Sequence, residues 1–154
     1  MQTSDTNQDT VPDKRILVVD DDRAIRDMFL RVLSYKLPNC HIDVAVSGDE
    51  AVSSFRSSYY DVVLLDMRMP EMNGDAAYHA IENVCRAEGN QPPAVVFITG
   101  FEPSAAIKDI VRNDKRHCLL RKPVRKHILL NALRSRLSEL PGDPTPGQPQ
   151  PVPS

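Results

Sequence analysis

In RILVVDDDRAIRDMFLRVLSYKL, residues 15–37, the hydrophobic period changes halfway, and that change decides the fold. The first part, Ile16 to Val19, is a short apolar run with β-branched residues, which reads as a strand. It breaks at three consecutive acids, Asp20, Asp21 and Asp22. From there the apolar residues fall at Ile25, Met28, Phe29, Val32 and Leu33, the spacing of one greasy helix face. Asp22 stands where an N-cap belongs, and Pro38 forbids continuation of the helix. The stretch is therefore a strand, an acidic turn and an amphipathic helix.

The same alternation repeats outward along the chain. HIDVAV (41–46) reads as a second strand, and GDEAVSSF, from residue 48, opens a second helix. DVVLLD (61–66) is a continuous apolar run closed by an acid, followed by a helix over 74–88. PAVVFITG (93–100) is a fourth strand, and the next helix, 103–113, is entered through Pro103 and Ser104. HCLLRKP (117–123) is a fifth strand before a closing amphipathic helix over 124–140. The central strands lack polar alternation, as expected of strands covered on both faces. Right-handed crossovers then give an α/β fold, a doubly wound five-stranded parallel sheet. No internal repeat is present.

Composition narrows the function. The chain has 154 residues, enough for one domain with tails, and a net charge of −2. That balance gives no basic footprint for nucleic acid, and the absence of Trp leaves little for base stacking. Cys40, Cys85 and Cys118 form no CxxC pair and read as reduced, small apolar residues. The opening MQTSDTNQDT lacks the apolar core of a signal peptide, and no apolar run approaches the roughly 18 residues of a membrane span. The expectation is a cytoplasmic protein with no membrane segment. Residues 1–13 are expected to be a disordered leader, 14–140 the domain, and the proline-rich 141–154 an extended tail or linker. His41, His79, His117 and His127 show no metal spacing and read as surface or core-edge residues.

In a doubly wound sheet, ligands bind outside the carboxyl ends of the strands. There the sequence places Asp20–Asp21, Asp66, Thr99–Gly100 and Lys122–Pro123. Any one acid after a strand is ordinarily a cap. The full set points to phosphoryl chemistry. Clustered carboxylates call for a cation, and hard oxygen ligands with room for water suit Mg2+. An aspartate beside that metal can attack phosphorus. A lysine and a hydroxyl can then steady the charge on the transferring group.

With these residues in view, the chain resembles a response-regulator receiver domain, the family of the bacterial chemotaxis regulator. The matching stretches are ILVVDDD, VVLLDMRMPEMNG, VVFITG and LLRKPV, in the family's order, over about residues 14–140. The resemblance implies a flavodoxin-like strand order of 2-1-3-4-5. It implies Asp66 as phosphoacceptor, Asp21 as a direct Mg2+ ligand and Asp20 as its neighbour acting through water. It assigns the backbone carbonyl of Arg68 as the third protein ligand. Thr99 is then the switch hydroxyl, Lys122 the phosphoryl-pairing lysine, and Pro123 the residue after a cis peptide. Gly74 is expected to supply a permissive turn before the third helix.

One departure and two variable positions bear on switching. Leu119 occupies the position where the family usually has a Tyr or Phe that swings inward on activation. Arg68 and Phe101 flank the phosphoryl position, and each is either a solvent-facing bystander or part of a screen against attacking water. The implied partners are a histidine kinase or histidine phosphotransfer protein and an output protein the sequence does not identify. The implied assembly is a monomer or weak dimer. The protein is then not an enzyme beyond its own phosphorylation and dephosphorylation. A phosphatase of the haloacid-dehalogenase type would need an acid two residues after the nucleophile, where Arg68 stands. A degenerate receiver, binding partners without phosphorylation, is the remaining alternative.

Overall fold

A computed structural model describes residues 14–138. The expected leader (1–13) and proline-rich tail (141–154) lie outside the described residues, as do the last two residues of the expected domain. The elements run β1 (Lys14–Val19), α1 (Arg23–Lys36), β2 (Cys40–Ala45), α2 (Gly48–Ser57), β3 (Val62–Asp66), α3 (Gly74–Ala87), β4 (Ala94–Thr99), α4 (Ala105–Asn113), β5 (Cys118–Arg121) and α5 (Lys126–Ser138). The alternation is the one the sequence predicts, with boundaries shifted by a residue or two.

The strands form one parallel sheet in the order β2-β1-β3-β4-β5. Burial follows position in that order. All residues of β3 and β4 are buried, whereas β2 and β5, at the edges, are mostly part-exposed. Side chains alternate across a strand, so each strand feeds two cores. On one face Leu17, Val63, Val95 and Phe97 pack against Val52 and Phe55 of α2, Tyr78 and Ile81 of α3, and Ile107 of α4. On the other, Ile16, Val18, Leu64 and Val96 pack against Phe29 and Leu33 of α1 and Leu129, Leu130 and Leu133 of α5. The order reverses between β1 and β3, which opens a crevice at their carboxyl ends.

Local chemistry fixes where each helix starts. The Asp22 carboxylate accepts from the N–H groups of Ala24 and Ile25, Ser47 from Glu50, Asn73 from Ala76 and Ser104 from Ile107. Each cap satisfies a donor that would otherwise have no partner.

The reading of Gly74 needs correction. Its backbone is ordinary helical geometry, and the left-handed residue of this loop is Glu71, with φ 69°. Glu71 is the centre of a tight turn in which the Met72 N–H donates to the Pro70 carbonyl at 2.7 Å. Gly74 is required for space: a Cβ there would lie 2.8 Å from the Cα of Met67. That close approach lets α3 start directly behind the end of β3.

His117 is also placed more deeply than core-edge. It is 3% exposed, and its Nδ1 accepts from the Val95 N–H at 3.0 Å. Burial lowers its pKa below the ordinary value, which keeps the ring neutral.

Candidate functional site

β1 and β3 are neighbours and parallel, with Val19 opposite Leu65. The residues just beyond each end therefore meet at one rim. Carboxylate oxygens of Asp20, Asp21 and Asp66 all lie within 4.8 Å of one another. β5 ends two places away across β4, and the following loop brings the Lys122 Nζ to 3.0 Å from the Asp66 Oδ1. The Lys122–Pro123 peptide is cis, as expected. The Lys122 N–H donates to the Thr99 carbonyl at 2.8 Å, tying this loop to the end of β4.

Asp20 and Asp66 are 2% and 3% exposed, whereas Asp21 is open to solvent. Burial raises the pKa of Asp20 above its ordinary value, and the charges of Asp66 and Asp21 add to the rise. The amide of Asp22, donating to Asp20 Oδ1 at 2.9 Å, and the charge of Lys122 work against it. The Arg26 guanidinium donates to the Asp20 carbonyl at 3.0 Å and so fixes this turn from α1. Asp22 faces away and caps α1. The three-aspartate run thus divides into two site residues and one cap.

Three carboxylates against one lysine leave the cluster short of positive charge. Buried carboxylates without full compensation are costly. A hard divalent cation fits the donor set, with Asp20, Asp21 and Asp66 as holders and the exposed side at Asp21 open to water or an incoming oxygen.

Thr99 lies on the same rim, 3% exposed. Its hydroxyl donates to the Phe101 carbonyl at 2.9 Å, and its oxygen accepts from the Phe101 N–H at 3.1 Å. It is engaged with its own loop and makes no hydrogen bond to Asp66 in this arrangement. The Arg68 N–H points at Asp66 Oδ1 from 3.4 Å, while its guanidinium lies over the Phe101 ring. Leu119 is not at the rim. It pairs with Phe97 in register and packs on the α2–α3–α4 side of the sheet.

One participant was missed at the level of sequence. Glu102, three residues after Thr99, pairs with Lys108 of α4 at 2.5 Å and Arg121 of β5 at 3.0 Å. Both contacts join residues distant in sequence or across a loop, so no local motif announces them.

The family model for the response regulator receiver domain matches residues 16–134. The chain belongs to this family. Among its relatives, the response regulator MprA of Mycobacterium sp. (strain KMS) is 30% identical over 135 residues, 88% of this chain and 55% of that protein. A protein-glutamate methylesterase/protein-glutamine glutaminase of Nocardioides sp. is 36% identical over 95 residues, 62% of this chain and 25% of that protein. The chain thus spans about half or less of these relatives. Among solved structures, the CheY-like receiver domain protein from Methanospirillum hungatei gives a TM-score of 0.67 at 23% identity, covering 83% of this chain and 96% of that one. A chain of the CheX–CheY–BeF3–Mg2+ complex from Borrelia burgdorferi gives 0.68 at 23% identity, covering 84% and 92%. At that identity the structures speak for the fold, which is the CheY-like, flavodoxin-type sheet. No described helix is long and apolar enough to cross a membrane.

Proposed function

We propose that this domain is the phosphoacceptor of a two-component or phosphorelay system and takes phosphate onto Asp66. The observation that carries the reading is the convergence of three carboxylates within 4.8 Å, with the Lys122 ammonium 3.0 Å from Asp66. The donor is a histidine kinase or a histidine phosphotransfer protein. A carboxylate oxygen of Asp66 forms a bond to phosphorus as the donor's phosphorus–nitrogen bond breaks, and the leaving imidazole keeps the electron pair and takes a proton. Asp20, Asp21, Asp66 and the Arg68 carbonyl would hold Mg2+, which would supply charge neutralisation for the phosphoryl oxygens. The Borrelia burgdorferi complex containing BeF3 and Mg2+ supports that choice of ion.

Lys122, already beside Asp66, pairs with a phosphoryl oxygen. Thr99 leaves Phe101 and donates to another, and the β4–α4 loop moves with it. The α4–β5–α5 face then changes its preference for an output protein. The domain catalyses only its own phosphorylation and dephosphorylation, in the cytoplasm, as a monomer or weak dimer.

The second reading, an interaction module independent of phosphorylation, has Leu119 in its favour. Incubation with a small-molecule phosphodonor and Mg2+ separates the two. Labelling of the wild type and loss of label in Asp66→Ala are expected. Equal labelling of both would remove Asp66 as acceptor, and labelling of neither would favour the interaction module.

A further inference from the structure

Charge is not evenly spread along this chain. Residues 105–138 carry ten Lys and Arg against two acids, Asp109 and Asp114, in a chain whose totals are nineteen basic and twenty-one acidic residues. Several of these cations have internal tasks. Lys122 pairs with Asp66, Arg116 donates to the Pro92 carbonyl, and Arg136 donates to the carbonyls of Arg116 and His117. Arg125 and Lys126, exposed where β5 turns into α5, make no ion pair among the described residues. Arg121 and Lys108 stand on the neighbouring strand end and helix, and both are held by one exposed carboxylate, Glu102. Those two cations in turn lower the pKa of Glu102, with the Lys108 hydrogen bond the larger cause.

From this arrangement we infer that Lys108, Arg121, Arg125 and Lys126 form a docking surface for an acidic segment of a partner protein. Glu102 occupies part of that surface as an internal competitor. A second copy of this face would oppose like charges, which disfavours self-association through it. A nucleic acid would meet four cations beside an acid-rich rim, and the exposed ring next to Glu102, Phe101, is already stacked with the Arg68 guanidinium, which makes a poor phosphate track. An acidic peptide offers the carboxylates that complement these cations, as Glu102 already does for two of them.

The competitor sits in the moving part. Glu102 belongs to the same loop as Phe101, whose backbone holds the Thr99 hydroxyl. This step rests on the proposed function: when Thr99 turns to a phosphoryl group on Asp66, that loop shifts and Glu102 loses Arg121 and Lys108. The released cations then bind the acidic segment. Leu119 need not act as a rotamer switch for this route to work.

The test uses a fluorophore-labelled oligo-glutamate peptide and the intact chain. In the unphosphorylated state, Glu102→Gln is expected to bind it about two- to fivefold more tightly than wild type, the range of an exposed charge pair. Arg121→Gln is expected to bind more weakly by a similar factor. Circular dichroism melts of both variants verify folding, since both positions are on the surface. Unchanged affinity in Glu102→Gln overturns the proposal. So does tighter binding of a single-stranded oligonucleotide of equal charge, or of anionic vesicles, at the same salt. Phosphodonor and Mg2+ are then added to wild type. If Asp66 is labelled and oligo-glutamate affinity does not rise, the release step fails while the phosphoacceptor reading stands. If Asp66 is not labelled, that reading fails, and the unphosphorylated comparison still decides whether Glu102 competes.

Discussion

The guanidinium carbon of Arg68 lies 4.2 Å from the centre of the Phe101 ring. This stack joins the loop after β3 to the loop after β4, and so bridges the two residues that carry the acceptor and the switch hydroxyl. The sequence left each side chain either inert or part of a screen. The contact makes them one unit over the rim, even though Phe101 is 58% exposed.

Phe101→Ala is therefore expected to speed loss of the aspartyl phosphate, because it removes the ring and frees Arg68. An exposed cation–π contact corresponds to about a two- to fivefold change in rate. Timing phosphate loss after removal of the donor measures this, and an unchanged rate sinks the screening role.

The carboxylate cluster sets a second expectation. Mg2+ should raise the thermal midpoint of the wild type, because it binds the folded cluster and not the dispersed chain. At about a hundredfold excess over Kd the gain is about 2.7 kcal/mol. In Asp21→Asn the gain should shrink strongly. Scanning calorimetry with Mg2+ and with a chelator gives the comparison, and an equal Mg2+ shift in the variant would remove Asp21 from the ligand set.

Gly74→Ala should destabilise the fold by about 1–3 kcal/mol, the usual cost of forcing a methyl group into a filled site. The new Cβ would meet the Met67 backbone at 2.8 Å, which cannot yield as a side chain can. Urea unfolding is the readout. A stability gain, as expected for Gly→Ala in an unobstructed helix, would show that the loop relaxes freely.

His117 predicts a pH dependence. Its folded pKa lies below the ordinary 6.5 because burial disfavours the charged ring, and Nδ1 is already an acceptor for Val95. Asp114 and Glu82 oppose that shift, and Tyr78, the Phe97 ring, Arg116 and Arg136 also face the ring. As pH falls below 6.5, the unfolded chain binds a proton that the folded ring resists, so stability is full above that value and declines with acid. The limiting slope is about 1.4 kcal/mol per pH unit. His117→Gln should flatten the stability profile between pH 6.5 and the lowered folded value. An identical slope in the variant would assign the acid sensitivity elsewhere.

Much of the fold was legible in the sequence, because the signals are local. The switch from the run Ile16–Val19 to the helical spacing of Ile25, Met28, Phe29 and Leu33 depends only on which side chains can share a face. Asp22 as a cap depends on donors two and three residues away. Asp20, Asp21, Asp66, Thr99 and Lys122 were readable as strand-end residues, and a parallel sheet brings all strand ends to one rim. What the sequence did not determine depends on distances between loops. The Arg68–Phe101 stack, the hold of Glu102 on Lys108 and Arg121, and the seat of His117 beneath Val95 join residues 6 to 33 positions apart, on different elements or loops. Gly74 shows the same limit. A glycine before a helix suggests a backbone turn, and only the packed position of Met67 shows that the constraint is volume. Periodicity and capping are properties of one segment, whereas contact across a crevice exists only once the sheet has set the segments side by side.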